Sequence, residues 1–197
     1  MTLAKTLEFL FDFGSPASYI AYKRLPPIVA RTGALVDYVP MLLGGVFKAT
    51  GNASPAEIPA KGRWMNTDLA RFATKYGVTF NRNPFFPINT LHLMRGATGL
   101  LDDGRFMAYV EAVFDAMWRE PKNLGDPAEL VPVLHRAGLT PEEFQALTGR
   151  EDVKARLKAT TEAAVARGAF GAPTMFVGDE MFFGQDRLDF VEEALAA

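Results

Sequence analysis

The residues able to do chemistry are few, and the first group lies close to the start of the chain. Gly14-Ser15-Pro16-Ala17-Ser18 follows an alternating apolar run and places two hydroxyls three residues apart. Ser before Pro marks a helix start, with the serine as N-cap and the proline at the first helical position, where its missing N–H costs nothing. A hydroxyl there, beside free N–H groups and the positive end of the helix dipole, can donate a hydrogen bond to a thiolate and lower its pKa. The chain has 0 cysteines. Such a thiolate therefore has to arrive with a ligand, and disulfides, thiolate metal sites and a protein thiol nucleophile are excluded. Its 2 histidines, His92 and His135, stand far apart in sequence and read as ordinary helix residues. They supply a histidine metal site or a Ser-His-Asp triad poorly, and no metal site is expected. The plain alternative for Ser15 is a helix cap and nothing more.

These residues need elements to hold them. Leu7, Phe9, Phe11 and Phe13 alternate with Glu8, Leu10 and Asp12, the period-two pattern of a strand over 7–13. The helix opened by Ser15 runs to Gly33, with a kink expected at Pro26-Pro27. Residues 34–42 read as a second strand, parallel to the first. Residues 46–65 read as irregular after Gly44-Gly45. Helical periodicity then dominates, with helices expected over 68–77, 88–101, 104–118, 126–137, 141–148 and 151–167. A hairpin follows, strand 174–178 and strand 180–183 about Gly178-Asp179. A last helix is expected to take Asp186 as its N-cap. Removing residues 46–166 leaves a compact βαβ–ββα unit. The expectation is an α/β protein with a thioredoxin-like fold, residues 1–45 and 167–197 forming that domain and residues 46–166 an all-helical insertion.

Composition is consistent with such a domain. The 197 residues are 49% hydrophobic and 22% charged, with 21 Lys and Arg against 23 Asp and Glu and a formal net charge of -2. No segment has the basic excess of a nucleic-acid or membrane-surface binder, and no apolar run is long enough to span a bilayer. Glu8 and Asp12 interrupt the only early apolar stretch, so no signal peptide is read and a cytoplasmic location is expected.

Within this fold two C-terminal groups face the start of the first helix. Ala172-Pro173 precedes the hairpin, where a thioredoxin-like fold holds its proline cis and offers the backbone of the preceding residue to an extended thiol peptide, like an added strand. An ordinary loop proline is the plain alternative. Phe183-Gly184-Gln185-Asp186 opens the last helix, where free N–H groups can hold a carboxylate and Asp186 an ammonium group. Trp64 and Trp118 read as packing, and Arg63, Arg71 and Arg82 as solvated.

Three stretches, F-D-F-G-S-P-x-S-Y, L-x-R-x-A-x-x-Y-G over 69–77 and F-G-A-P-T-M-F-V-G-D-E-M-F-F-G-Q-D-R-L, resemble the 2-hydroxychromene-2-carboxylate isomerases, relatives of kappa-class glutathione transferases. The resemblance covers essentially the whole chain. It implies glutathione as cofactor and isomerisation of 2-hydroxychromene-2-carboxylate, a small aromatic carboxylate, to trans-o-hydroxybenzylidenepyruvate in aromatic hydrocarbon catabolism. By the same resemblance Ser15 activates the glutathione thiol, and Ala172, Pro173, Phe183, Gly184, Gln185 and Asp186 bind glutathione. Lys48, Asn52 and Phe86 bind substrate, Phe86 standing where relatives of naphthalene breakdown carry a tyrosine. By the resemblance, whose members are usually dimers, and from the Phe- and Met-rich middle (Phe85, Phe86, Met94, Phe106, Met107), a homodimer is expected. Two other functions remain open: glutathione transfer to a different electrophile, and a non-catalytic thioredoxin-like binding module.

Overall fold

The computed structural model describes residues 4–197; the first three residues of the expected 1–45 segment lie outside it. Strands β1 (Thr6–Phe11), β2 (Leu35–Pro40), β3 (Thr174–Val177) and β4 (Glu180–Phe183) form one sheet in the order β2-β1-β3-β4. β1 runs parallel to β2, pairing Thr6 with Leu35 and Phe11 with Pro40. β1 runs antiparallel to β3, pairing Leu7 with Val177 and Leu10 with Thr174. The hairpin β3–β4 completes the sheet. Helix α1 (Pro16–Thr32) connects β1 to β2 and passes without interruption through Pro26 and Pro27, ending at Gly33 in a left-handed conformation that suits glycine. Helix α9 (Leu188–Ala196) closes the chain.

Between β2 and β3 lie α2 (Leu43–Thr50), α3 (Pro59–Tyr76), α4 (Leu91–Gly99), α5 (Phe106–Trp118), α6 (Pro127–Arg136), α7 (Pro141–Gly149) and α8 (Glu151–Ala166). The stretch expected to be irregular over 46–65 is instead mostly helical. Gly44-Gly45 does not break the chain, because Gly45 lets α2 approach α8: a Cβ there would lie 3.1 Å from Thr161 Cγ2. α3 starts earlier than its apolar periodicity suggests, with Pro59 in its first turn. The last helix is also differently built. Gln185–Arg187 form a 3-10 turn, α9 begins at Leu188, and Asp186 is not its N-cap.

Both faces of the sheet are covered, giving the layered arrangement of an α/β domain. Leu7, Phe9 and Phe11 are fully buried with residues of α1, α4, α5 and α9. On the other face Leu10 and Phe176 pack with Met41, Val46 and Ala164. The larger core is strongly aromatic. Phe114 of α5 has ring-centroid separations of 5.6 Å to Phe11, 4.9 Å to Phe13, 6.0 Å to Tyr19 and 5.1 Å to Tyr22. Phe114 thus locks the helical middle of the chain onto β1 and α1. Phe114→Ala removes all four contacts and leaves a cavity, so denaturant unfolding should show a loss of about 3–5 kcal/mol; a loss below about 1 kcal/mol would mean that another element carries this junction.

Candidate active site

The chain leaves β1 at Asp12 and turns through Phe13 and Gly14 to Ser15. Ser15 is extended (φ -94°, ψ 112°) and caps α1, its Oγ accepting from Ser18 N at 3.1 Å. The same oxygen donates to the carbonyl of Ala172 at 2.8 Å. One hydroxyl therefore serves the start of α1 and the loop before β3. Ser15 is only 4% exposed, yet it lines a cavity. Ser18, the second hydroxyl of the pair, is fully buried, has an Oγ with no partner among the described residues, and does not line it.

Neighbouring elements clamp this turn. Trp118 Nε1 donates to Phe13 O at 2.8 Å, and Phe13 N points to the sulfur of Met94. Trp118 thus packs and also holds the loop. Asp12, which the period-two pattern puts on the strand face of Glu8 and Leu10, is 1% exposed. Its carboxylate accepts from Gly14 N, Leu43 N and Thr90 Oγ1, each at 2.8 Å, while its carbonyl accepts from Ser15 N at 3.0 Å. Burial raises its pKa above the ordinary carboxylate value, and the three hydrogen bonds oppose that rise. An acid at the end of an apolar strand, just ahead of Gly-Ser-Pro, was the available signal.

The C-terminal side of the site is built on the hairpin. The Ala172-Pro173 peptide bond is cis, as expected. Gly184 N donates to Pro173 O at 3.0 Å, and among the described residues the N–H of Ala172 has no partner. Gly171 allows Phe183 to lie against the backbone: a Cβ at Gly171 would fall 2.7 Å from the Phe183 ring. Phe170 and Phe183 sit with centroids 4.4 Å apart at the rim. Gly184 adopts φ 96°, and the side chain of Asp186 folds back over it and pairs with Arg187. Tyr76 of α3 donates to Gln185 O at 3.0 Å. Burial first, and the Asp189 carboxylate second, raise the Tyr76 phenol above its ordinary value, so it remains a donor.

Ser15, Ala172, Phe183, Gly184, Gln185 and Asp186 line one cavity of about 360 Å³, within the range of small-ligand pockets. Asn52 and Phe86 line it too. Asn52 Nδ2 donates to Phe170 O at 2.8 Å, tying the loop after α2 to the hairpin side. Trp64 and Asp68 of α3 and Phe47 of α2 add to the wall; Trp64, expected to pack, is instead 64% exposed. Pro173 is buried behind this surface. Lys48 is not brought together with the others. Unlike its neighbour Phe47, it lines a second cavity of about 810 Å³ with Arg95, Lys154 and Lys158. A third cavity, about 720 Å³, adjoins the Ser15 cavity through Gly14, Phe47 and Phe86 and carries Arg82. Asp68 and Asp186 are the charged side chains of the Ser15 cavity among the described residues. No group of acidic and histidine side chains among those residues could hold a metal ion, and no helix is long and apolar enough to cross a membrane.

Residues lining the groove offer one hydroxyl, N–H groups without a partner among the described residues at Ala172 and at the start of the Gln185 turn, and the carboxylates of Asp68 and Asp186, between aromatic walls. The DSBA-like thioredoxin domain model matches residues 6–196. The chain is 33% identical over 197 residues to a 2-hydroxychromene-2-carboxylate isomerase of Sphingobium xenophagum, covering 98% of this chain and 99% of that protein. It is 27% identical to human glutathione S-transferase kappa 1, over 98% of this chain and 92% of the relative. A solved structure of a 2-hydroxychromene-2-carboxylate isomerase superposes with a TM-score of 0.85 at 32% identity, over 96% of this chain and 94% of the other. On these grounds the chain belongs to the DSBA-like thioredoxin-domain family and, within it, to the family of the 2-hydroxychromene-2-carboxylate isomerases.

Proposed function

We propose that the protein is a glutathione-dependent isomerase of a small aromatic carboxylate, of the type that converts 2-hydroxychromene-2-carboxylate to trans-o-hydroxybenzylidenepyruvate. The observation that carries this reading is the convergence of Ser15 Oγ, the unpaired Ala172 N–H and Asp186 on one cavity. The groups fit glutathione. The Ala172 backbone offers an edge for an extended peptide, and the first N–H groups of the Gln185 turn with Asp186 suit a carboxylate and an ammonium group on one carbon. Glutathione held by Ser15, Ala172 and the 183–186 segment would supply a thiolate nucleophile for reversible addition to the conjugated system of the substrate, without being consumed.

Ser15 donates its hydroxyl proton to Ala172 O in this structure; turning that proton toward a sulfur in the cavity would stabilise its anionic form. A hydrogen bond to a charged partner contributes roughly 1.5–3 kcal/mol. Phe47, Trp64 and Phe86 provide flat apolar walls against which an aromatic ring can be oriented. For the substrate carboxylate, Arg82 is the cation on the adjoining cavity, whereas Lys48 faces away. We further infer a cytoplasmic homodimer. Of the side chains expected to serve the interface, Met94 and Phe106 belong to the core and Phe86 to the cavity, while Phe85 (51%) and Met107 (43%) remain exposed. Light scattering at working concentration should give about twice the chain mass; a monomer would remove the dimer.

Calorimetric titration with glutathione should show binding, and a saturating concentration near 100 times Kd should add about 2.7 kcal/mol of stability. Absence of both heat and thermal shift would sink the glutathione reading. With an aromatic substrate, total glutathione should stay constant during turnover; steady loss would instead favour a transferase.

Ser15→Ala should still bind glutathione, because Ala172 and the 183–186 segment are untouched. Its rate at neutral pH should fall by about ten- to a hundredfold, and loss of the N-cap should cost about 1 kcal/mol of stability in denaturant unfolding. Full activity in this variant would reduce Ser15 to a helix cap.

A further inference from the structure

Asp12 is a buried carboxylate whose hydrogen-bond partners among the described residues are all neutral donors. Three helix starts supply them. Gly14, whose N–H it accepts, leads into the cap of α1. Leu43 is the first residue of α2, a helix whose N-cap, Leu42, makes no side-chain capping bond. Thr90 holds the N-cap position of α4 but gives its hydroxyl to Asp12 rather than to its own helix. The Leu43 N–H is a free amide at the positive end of α2, which favours a negative charge there, and the Gly14 N–H and the Thr90 hydroxyl add direct hydrogen bonds. Three donors and no acceptor suit the ionised form. The same carboxylate sits directly behind the Ser15 turn and ties it to α2, which contributes Phe47 to the site wall.

We propose that Asp12 is a positioning residue of the Ser15 site: its ionised carboxylate gathers the starts of α1, α2 and α4 around Ser15, and its charge tempers how strongly the start of α1 holds an anion at the Ser15 hydroxyl. The second clause rests on the reading that Ser15 faces an anion. Tempering has chemical value, because a thiolate stabilised too far loses nucleophilicity as its pKa falls. Other charges also face this region. Asp68 of α3 and Asp186 of the hairpin-side turn line the Ser15 cavity, and Glu57 and Arg82 line the cavity that reaches Asp12. The first turn of α1 carries no acid, Lys48 of α2 and Arg95 of α4 line the cavity on the far side of α2, His92 of α4 is exposed, and Glu8 of β1 is paired with Arg167.

The test needs no glutathione. In Ser15→Cys, the thiol at the N-cap can be titrated by the ultraviolet absorbance of its thiolate. Adding Asp12→Asn keeps an acceptor for Gly14 and Thr90 but removes the charge, and the thiol midpoint should fall by about one pH unit or more. Adding Thr90→Val instead removes one hydrogen bond and no charge, and should leave the midpoint in place. A midpoint that stays or rises with Asp12→Asn, or that moves equally with Thr90→Val, overturns the proposal in favour of packing alone. Should Asp12→Asn fail to fold, carbon NMR of the Asp12 carboxyl in the unaltered chain decides. An ionised carboxylate at neutral pH supports the proposal, and a protonated one overturns it. Loss of glutathione binding in the calorimetric experiment would leave these readings unchanged, so the two failures are distinguishable.

Discussion

Antiparallel pairing of β1 with β3 is the constraint on which the site depends. Residues 6–11 and 174–177 are separated by most of the chain, and their register, Leu7 against Val177 and Leu10 against Thr174, leaves the ends of both strands side by side. The turn after β1 and the loop before β3 then meet, and Ser15 Oγ reaches Ala172 O across 157 residues. Neither loop has regular structure of its own. They are held by a bond to each other, Ser15 to Ala172, by local bonds, Asp12 to Gly14 and Thr174 to Gly171, and by the bond of Trp118 in α5 to Phe13. Closing so long a loop is costly in entropy, and the aromatic cluster around Phe114, which includes residues of β1, α1 and α5, supplies much of the compensating burial.

The helical middle serves two purposes. α4, α5 and α8 extend the core and cover the sheet, whereas α2, α3 and the loops after them shape the groove. α2 shows both roles in one turn of sequence. Val46 is buried against the sheet, Phe47 faces the Ser15 cavity, and Lys48 faces the cavity shared with α8. α3 brings Trp64 and Asp68 to the groove and Tyr76 to the backbone of Gln185. The segment between the strands is thus half of the site as well as an addition to the fold.

Charge is distributed unevenly around that groove. The Ser15 cavity is lined by acids and aromatic rings, while the basic side chains near it face neighbouring cavities. An anion at Ser15 would depend on oriented hydrogen bonds and helix starts rather than on a cationic side chain. Such dipoles act over short range and are fixed by the fold, which makes the geometry of the turn after β1 decisive.

Much of this was legible in the residues. The period-two run before Gly14, the Ser-Pro start, the hairpin turn at Gly178 and the Gly stops at 33 and 77 are local signals, and the elements they mark are present. The absence of cysteine decided from the sequence that any thiol must come from outside. Other features were hidden because their causes lie far away in the chain. Gly44-Gly45 reads as a break until α8 packs against Gly45 and Asp12 receives the first N–H of α2. Asp186 reads as a cap until the chain makes a 3-10 turn and the carboxylate folds over Gly184 and pairs with Arg187. Lys48 and Phe47 are adjacent in sequence, but only the packed orientation of α2 sends them into different cavities. The sequence by itself determined the elements marked by local signals and which chemistry the chain lacks, because those follow from neighbours a few residues apart. The tertiary structure alone decided which side chains share a cavity and where the buried charge of Asp12 finds its donors, because those depend on contacts between segments that meet only when the sheet is closed.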